Sequence, residues 1–173
     1  VMLVLSDRAR SSNTRIMHDG AALYSDVAAA CLIGRGDGYF KLGCVLNHPT
    51  TALLAASGNE NCIRQNDDFA NAIRYFGSKI KATTGRALSD YSVVISDNIH
   101  RMFLDLMCDG LSIDSKKILM PTKSESAHAF SADCPLSLLH LQQQGVLSNG
   151  EKVGVLNIGV SMLSFIELEV SNP

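Results

Sequence analysis

The run Tyr91-Ser92-Val93-Val94-Ile95 constrains the fold more than any other segment. It is short, rich in β-branched residues and without polar alternation, which reads as a strand buried on both faces. Helical patterns flank it. Asp67 to Thr83 places Phe69, Ala72, Ile73, Phe76 and Ile80 at helical spacing, with Asp67 or Asp68 placed to cap its start. Ile99 to Cys108 puts Met102, Phe103, Leu106 and Met107 on one side, with Gly110 as the stop. A strand buried on both faces needs helices above and below it, so the chain is expected to be α/β.

The remaining segments fit that frame. Val1 to Leu5 is a short apolar strand, without the charged leader or cleavage site of a signal peptide. A chain that opens inside an element without Met reads as a fragment or a trimmed piece. Ser11 to Asp19 is loop-like. Ala22 to Ile33 and Tyr39 to Leu46 read as a hairpin around the turn Gly34-Arg35-Gly36-Asp37-Gly38. Thr50 to Asn61 gives no clear reading. Ile118 to Met120 is a short strand. Ala132 to Gln144 is a helix with Pro135 in its first turn, Leu136 and Leu139 facing inward and His140 at the margin of that face. Val153 to Ile158 and Met162 to Val170 are strands around Gly159-Val160-Ser161. Apart from the opening run the order is β-β-α-β-α-β-α-β-β, which implies a mixed sheet with helices on its faces.

Bulk properties narrow the function. The chain has 173 residues, enough for one domain, and 46% are hydrophobic. Only 18% are charged, below a usual share of about 25%, which fits either a well-packed domain or an apolar face kept for a partner. A net charge of -2 with scattered basic residues argues against nucleic acid and acidic membrane as partners. No apolar stretch approaches the roughly 20 residues that span a bilayer. Five cysteines without CxxC spacing read as mostly buried, reduced thiols, hence a cytoplasmic setting. No pair has metal-ligand spacing, so no metal is expected.

Several weak motifs in order carry a resemblance. Ser25-Asp26-Val27-Ala28-Ala29-Ala30 stands where ketoacyl-acyl-carrier-protein synthase III-like enzymes of the thiolase superfamily have Gly-Asp-Gly-Ala-Gly-Ala in a strand. Tyr91 to Ser96 leads into Asp97-Asn98-Ile99-His100 where those enzymes have a strand and His-Gln-Ala-Asn. His128, upstream of a helix with Pro135, stands where they have Asn; Gly159-Val160-Ser161 stands at their Gly-rich turn. Pro121-Thr122-Lys123-Ser124-Glu125-Ser126-Ala127-His128 also resembles a Ser-Thr-Lys-Ser-x-x-Gly-His segment of the elongating ketoacyl synthases, although the tail after His128 matches synthase III length.

The resemblance implies a carboxy-terminal thiolase-like half-fold, a mixed five-stranded sheet with helices on both faces. Residues 1–20 would be the last strand and linker of an amino-terminal half, and residues 21–173 the carboxy-terminal domain. It implies acyl transfer from thioesters of coenzyme A or acyl carrier protein, with coenzyme A or phosphopantetheine thioesters as substrates and no bound cofactor. The implied partners are the missing amino-terminal half, which would carry the nucleophilic Cys, acyl carrier protein or acyl-CoA, and a second subunit in a homo- or heterodimer. None of the five cysteines here sits in the nucleophile's motif.

The departures shape the site. Asp97 replaces the family's His, His128 its Asn, and Val160 the middle Gly of its turn. If Asp97 and His128 face one pocket, they form a carboxylate–imidazole pair with exchanged roles, His128 as base or donor and Asp97 orienting it. Ionised Asp97 cannot donate to an enolate, so such a pair suits acyl transfer to oxygen or nitrogen better than decarboxylation. The alternative is a decayed site in a non-catalytic homologue, a scaffold or silent subunit. An unrelated α/β binding domain is a third reading. Lys123 either adds charge beside His128 or is solvated; His100 stands at the pocket mouth or on the helix surface; Gly159 and Val160 offer backbone N–H groups to the thioester oxygen. Asp26 reads as a buried structural carboxylate, Cys134 as a structural thiol, and His18, His48 and His140 as ordinary histidines.

Overall fold

The structure, a computed structural model, describes residues 1–7, 25–50, 67–159 and 161–171. The loop expected over Ser11 to Asp19, His18, Cys62, Val160, most of Thr50 to Asn61 and the boundary between residues 20 and 21 lie outside these.

The strands are β1 (Met2–Asp7), β2 (Val27–Leu32), β3 (Phe40–Pro49), β4 (Val93–Ser96), β5 (Ile118–Leu119), β6 (Lys152–Gly159) and β7 (Met162–Val170). The helices are α1 (Asp67–Thr84), α2 (Arg101–Leu111), the single turn α3 (Lys123–Ser126) and α4 (Asp133–Gln144). Five strands form the main sheet in the order β3-β7-β6-β4-β5. β4 runs parallel to β5 and β6, while β7 is antiparallel to β6 and β3. The sheet is therefore mixed: β6, β4 and β5 form its parallel side, and β7 and β3 its antiparallel side.

Alternation along β4 splits the core into two layers. Val94 joins Phe69, Ile73, Phe76 and Ile80 of α1, Leu104 and Met107 of α2, and Leu156 and Phe165 of the sheet. Ile95, one residue on, points to the opposite face and joins Cys134 and Leu141 of α4 with Val153 and Val155. Helices thus cover both faces. Tyr91 and Phe165 pack edge to face at 5.5 Å under the first layer. On that same face the buried Glu167 carboxylate accepts a hydrogen bond from Tyr91 Oη (2.6 Å) and lies 3.7 Å from Arg86 Nη1.

Four expectations are corrected. The hairpin between Ala22 to Ile33 and Tyr39 to Leu46 does not form. β2 pairs antiparallel with β1, from Met2 opposite Leu32 to Asp7 opposite Val27, in a separate two-stranded sheet. β3 instead lines up on β7, which lets Cys44 and Leu46 pack on the first core layer. Gly110 does not stop α2, which runs to Leu111 and ends at left-handed Ser112 (φ 54°), where Ile113 N–H bonds back to the Cys108 carbonyl. On α4 the buried row is Asp133, Cys134, Ser137 and Leu141, while Leu139 is exposed. The buried hydrogen bonds of Asp133 set that rotation, overriding the leucine pattern. Asp26 is exposed, in the backbone just before β2, and not the buried carboxylate expected.

Gly110 has a packing duty. A Cβ there would lie 2.6 Å from Ile73 Cγ2 and 3.2 Å from Ile73 Cβ, so α1 and α2 touch through a missing side chain. Gly110→Ala is expected to destabilise the fold by about 1–3 kcal/mol through overpacking. Gly34→Ala, with no atom within 4 Å of its Cβ, is the control. Urea denaturation of both variants tests this; equal midpoints would remove the helix contact from the account.

Candidate active site

The carboxyl ends of β4, β5 and β6 lie side by side, the place where open α/β sheets form crevices. Asp97 and Asn98 follow β4, Thr122 follows β5, and Asn157 and Ile158 end β6. The amino end of α4 delivers Asp133 and Cys134, and the loop between α3 and α4 carries His128. Asp97, Asn98 and Asp133 are buried, at 1%, 2% and 0% exposure. Burying such groups is costly unless each is hydrogen-bonded, and here the bonding is dense.

Two carboxylates divide the site. Asp97 faces β6: Ile158 N–H donates to Oδ2 (2.7 Å) and Asn157 Nδ2 donates to Oδ1 (2.9 Å). The Cys134 thiol also points at Asp97 Oδ1 (3.6 Å). Asp133 faces the loop: Ala129 N–H donates to Oδ1 (2.7 Å), Asn98 N–H to Oδ2 (3.0 Å) and Asn98 Nδ2 to Oδ1 (3.0 Å). His128 Nδ1 lies 2.5 Å from Asp133 Oδ2, with the imidazole 12% exposed. The structure therefore gives the His128 Nδ1 contact to Asp133, while Asp97 and His128 stand in one cluster and interact electrostatically.

Sequence reasoning missed Asp133 and Asn98 as site residues. Asp133 was visible as an acidic residue five positions after His128, opening a helix just before Pro135. Asn98 donates further to the Ala127 carbonyl (2.6 Å) and lies 3.3 Å from Thr122 Oγ1, which in turn meets Ser137 Oγ at 3.4 Å.

The other predicted residues take distinct places. Lys123 Nζ donates to the Ile99 carbonyl (2.5 Å), and burial, with the Arg101 charge adding to it, holds its ammonium below the usual lysine range. His100 is exposed at the start of α2, its carbonyl accepting from Phe103 and Leu104 N–H. Gly159 ends β6, where a Cβ would sit 3.3 Å from the Met162 carbonyl oxygen. Burial, then the Asp97 and Asp133 charges, push the Cys134 thiol well up, which makes it a packed group rather than a nucleophile. Among the described residues no cluster of His, Cys, Asp and Glu is placed to hold a metal, and no helix is long and apolar enough to cross a membrane.

Burial pushes the Asp97 carboxyl from 3.8 up to about 6, helped by the Asp133 charge; the Ile158 N–H, His128 and Cys134 pull the other way. A raised carboxyl binds its proton more tightly in the folded state. Its stabilising contribution is complete below the unfolded value and is lost as pH rises through about 6. Asp97→Asn is expected to gain stability relative to the parent as pH climbs across that interval, with no further gain above it. Denaturation curves at stepped pH check this; parallel profiles would contradict it.

No family profile matches the sequence, and no curated protein matches it. Solved structures do. The acyltransferase ChlB3 superposes with a TM-score of 0.79 at 16% identity, covering 99% of this chain and 59% of that one. The 3-oxoacyl-[acyl-carrier-protein] synthase III of Aquifex aeolicus VF5 gives a TM-score of 0.69 at 14% identity, covering 97% and 57%. Cerulenin-bound OleA of Xanthomonas campestris gives 0.62 at 16% identity, covering 75% and 38%. The chain thus spans less than two thirds of each of these structures. It has the fold that part of each of these structures has.

Proposed function

We propose that this chain is the carboxy-terminal domain of a ketoacyl synthase III-like acyltransferase acting on acyl thioesters of coenzyme A or acyl carrier protein. The reading is supported by one observation above the rest: the synthase III-like fold runs over nearly all of this chain yet only 57–59% of two such structures. An amino-terminal half would complete the fold and supply the Cys.

In this reading the Cys thiolate attacks the thioester carbonyl, the carrier thiolate leaves, and the acyl group rests on the Cys sulfur. An acceptor hydroxyl or amine then attacks, and the Cys thiolate departs. His128 takes the acceptor's proton and returns it to the departing group. Asp97 is a charge beside the imidazole whose oxygens accept from Ile158, Asn157 and Cys134. An acceptor of that kind does not serve a malonyl enolate, which favours plain acyl transfer. In this reading Lys123, His100 and Gly159 are substrate-binding residues, as is Val160 by its position in the sequence.

The second reading is a non-catalytic homologue, a scaffold or silent subunit. It is favoured by the same engagement of Asp97, at the place where the resemblance to synthase III-like enzymes implies a catalytic His. The full-length gene product, incubated with acyl-CoA, separates the two. Acyl transfer expects an acylated Cys by mass spectrometry, free thiol release, and a loss of about 10²- to 10⁴-fold in kcat/KM for His128→Ala. No acyl-enzyme and no thiol release from the folded protein would establish the silent subunit.

A further inference from the structure

We propose that Asp133 is the positioning residue of His128: it holds Nδ1 and so fixes which ring nitrogen faces the chemistry. The consequence for turnover rests on the acyl-transfer reading; the geometry does not.

The bonding around Asp133 leaves it one role. Its oxygens are met by the N–H groups of Ala129 and Asn98 and by the Asn98 side-chain amide. An oxygen ringed by donors is an acceptor, so the His128 nitrogen that faces it carries the hydrogen. The proton therefore sits on Nδ1, and Nε2 is the nitrogen that accepts and returns protons. Asp133 is fully buried at the amino end of α4, where the helix favours negative charge. Asp97 has no such arrangement, since its oxygens point to β6 and Cys134.

Backbone strain around the histidine supports the same assignment. Ala127 (φ 49°) and Phe130 (φ 52°) occupy the left-handed region on either side of His128. Such non-glycine conformations are costly and persist only where the surroundings over-determine them. The surroundings here are Asn98 Nδ2 on the Ala127 carbonyl and Asp133 on Ala129 N–H. One buried Asn–Asp pair thus holds the loop in a strained shape and holds the ring it carries. Ser25 N–H adds a bond to the His128 carbonyl (2.9 Å).

The test uses the full-length protein with ¹⁵N-labelled imidazoles, and His128→Gln identifies the signal. The expected spectrum of the parent has Nδ1 protonated and Nε2 carrying the lone pair. Asp133→Asn should shift that balance and lower kcat at least about tenfold with little change in KM. Asn98→Ala, which frees one side of the Asp133 carboxylate, should move the spectrum less in the same direction. A parent spectrum with the proton on Nε2 and the lone pair on Nδ1 overturns the assignment, whether or not Asp133→Asn folds. So does a folded Asp133→Asn protein with an unchanged spectrum and kcat. If the parent shows the expected tautomer but neither it nor His128→Ala turns over thioester, positioning stands and the acyl-transfer reading fails.

Discussion

A carboxylate sealed from solvent ties the structure around the site together. Asp133 bonds the turn after β4 through Asn98, the loop after α3 through Ala129 and His128, and the first turn of α4 by its own position. Removing such a group would leave several donors stranded, and each stranded donor costs about 1–3 kcal/mol. The demand for partners is what turns α4 so that Cys134, Ser137 and Leu141 face the sheet. Satisfying one charge therefore sets the rotation of a helix and the shape of the loop beside it. The second core layer is packed on the result.

Much of the fold was legible because its signals are local. Helix α1 carries Phe69, Ile73, Phe76 and Ile80 at regular spacing, and all are buried. The unbroken run through Val93, Val94 and Ile95 announced a strand covered on both faces. The pairing of β2 was not legible, because antiparallel partners are chosen by contacts far along the chain and the Gly34 to Gly38 segment looked like a tight turn. Gly110 misled for a related reason. A glycine near a helix end resembles a stop, and only the position of Ile73 on another helix reveals it as a point of approach.

The site was half legible. The residues after β4 and the histidine after β5 were recognisable from their order, and the topology brings them to one end of the parallel strands. Which carboxylate meets the imidazole was not. Asp97 and Asp133 carry the same chemistry, and their difference arises from direction: one chain end points to β6, the other to the loop. Sequence spacing has no access to that direction. The strain at Ala127 and Phe130 was equally hidden, since neither residue type advertises a left-handed backbone.

The small β1–β2 sheet has a mechanical meaning. Its strands present Met2, Val4 and Leu32 outward, and the backbone just before β2 grips the carbonyl of His128. The imidazole is consequently moored at both ends of its residue, by a side-chain carboxylate on one side and by a neighbouring strand on the other. A displacement of the backbone just before β2 would reach the residue that carries the ring through the Ser25–His128 hydrogen bond.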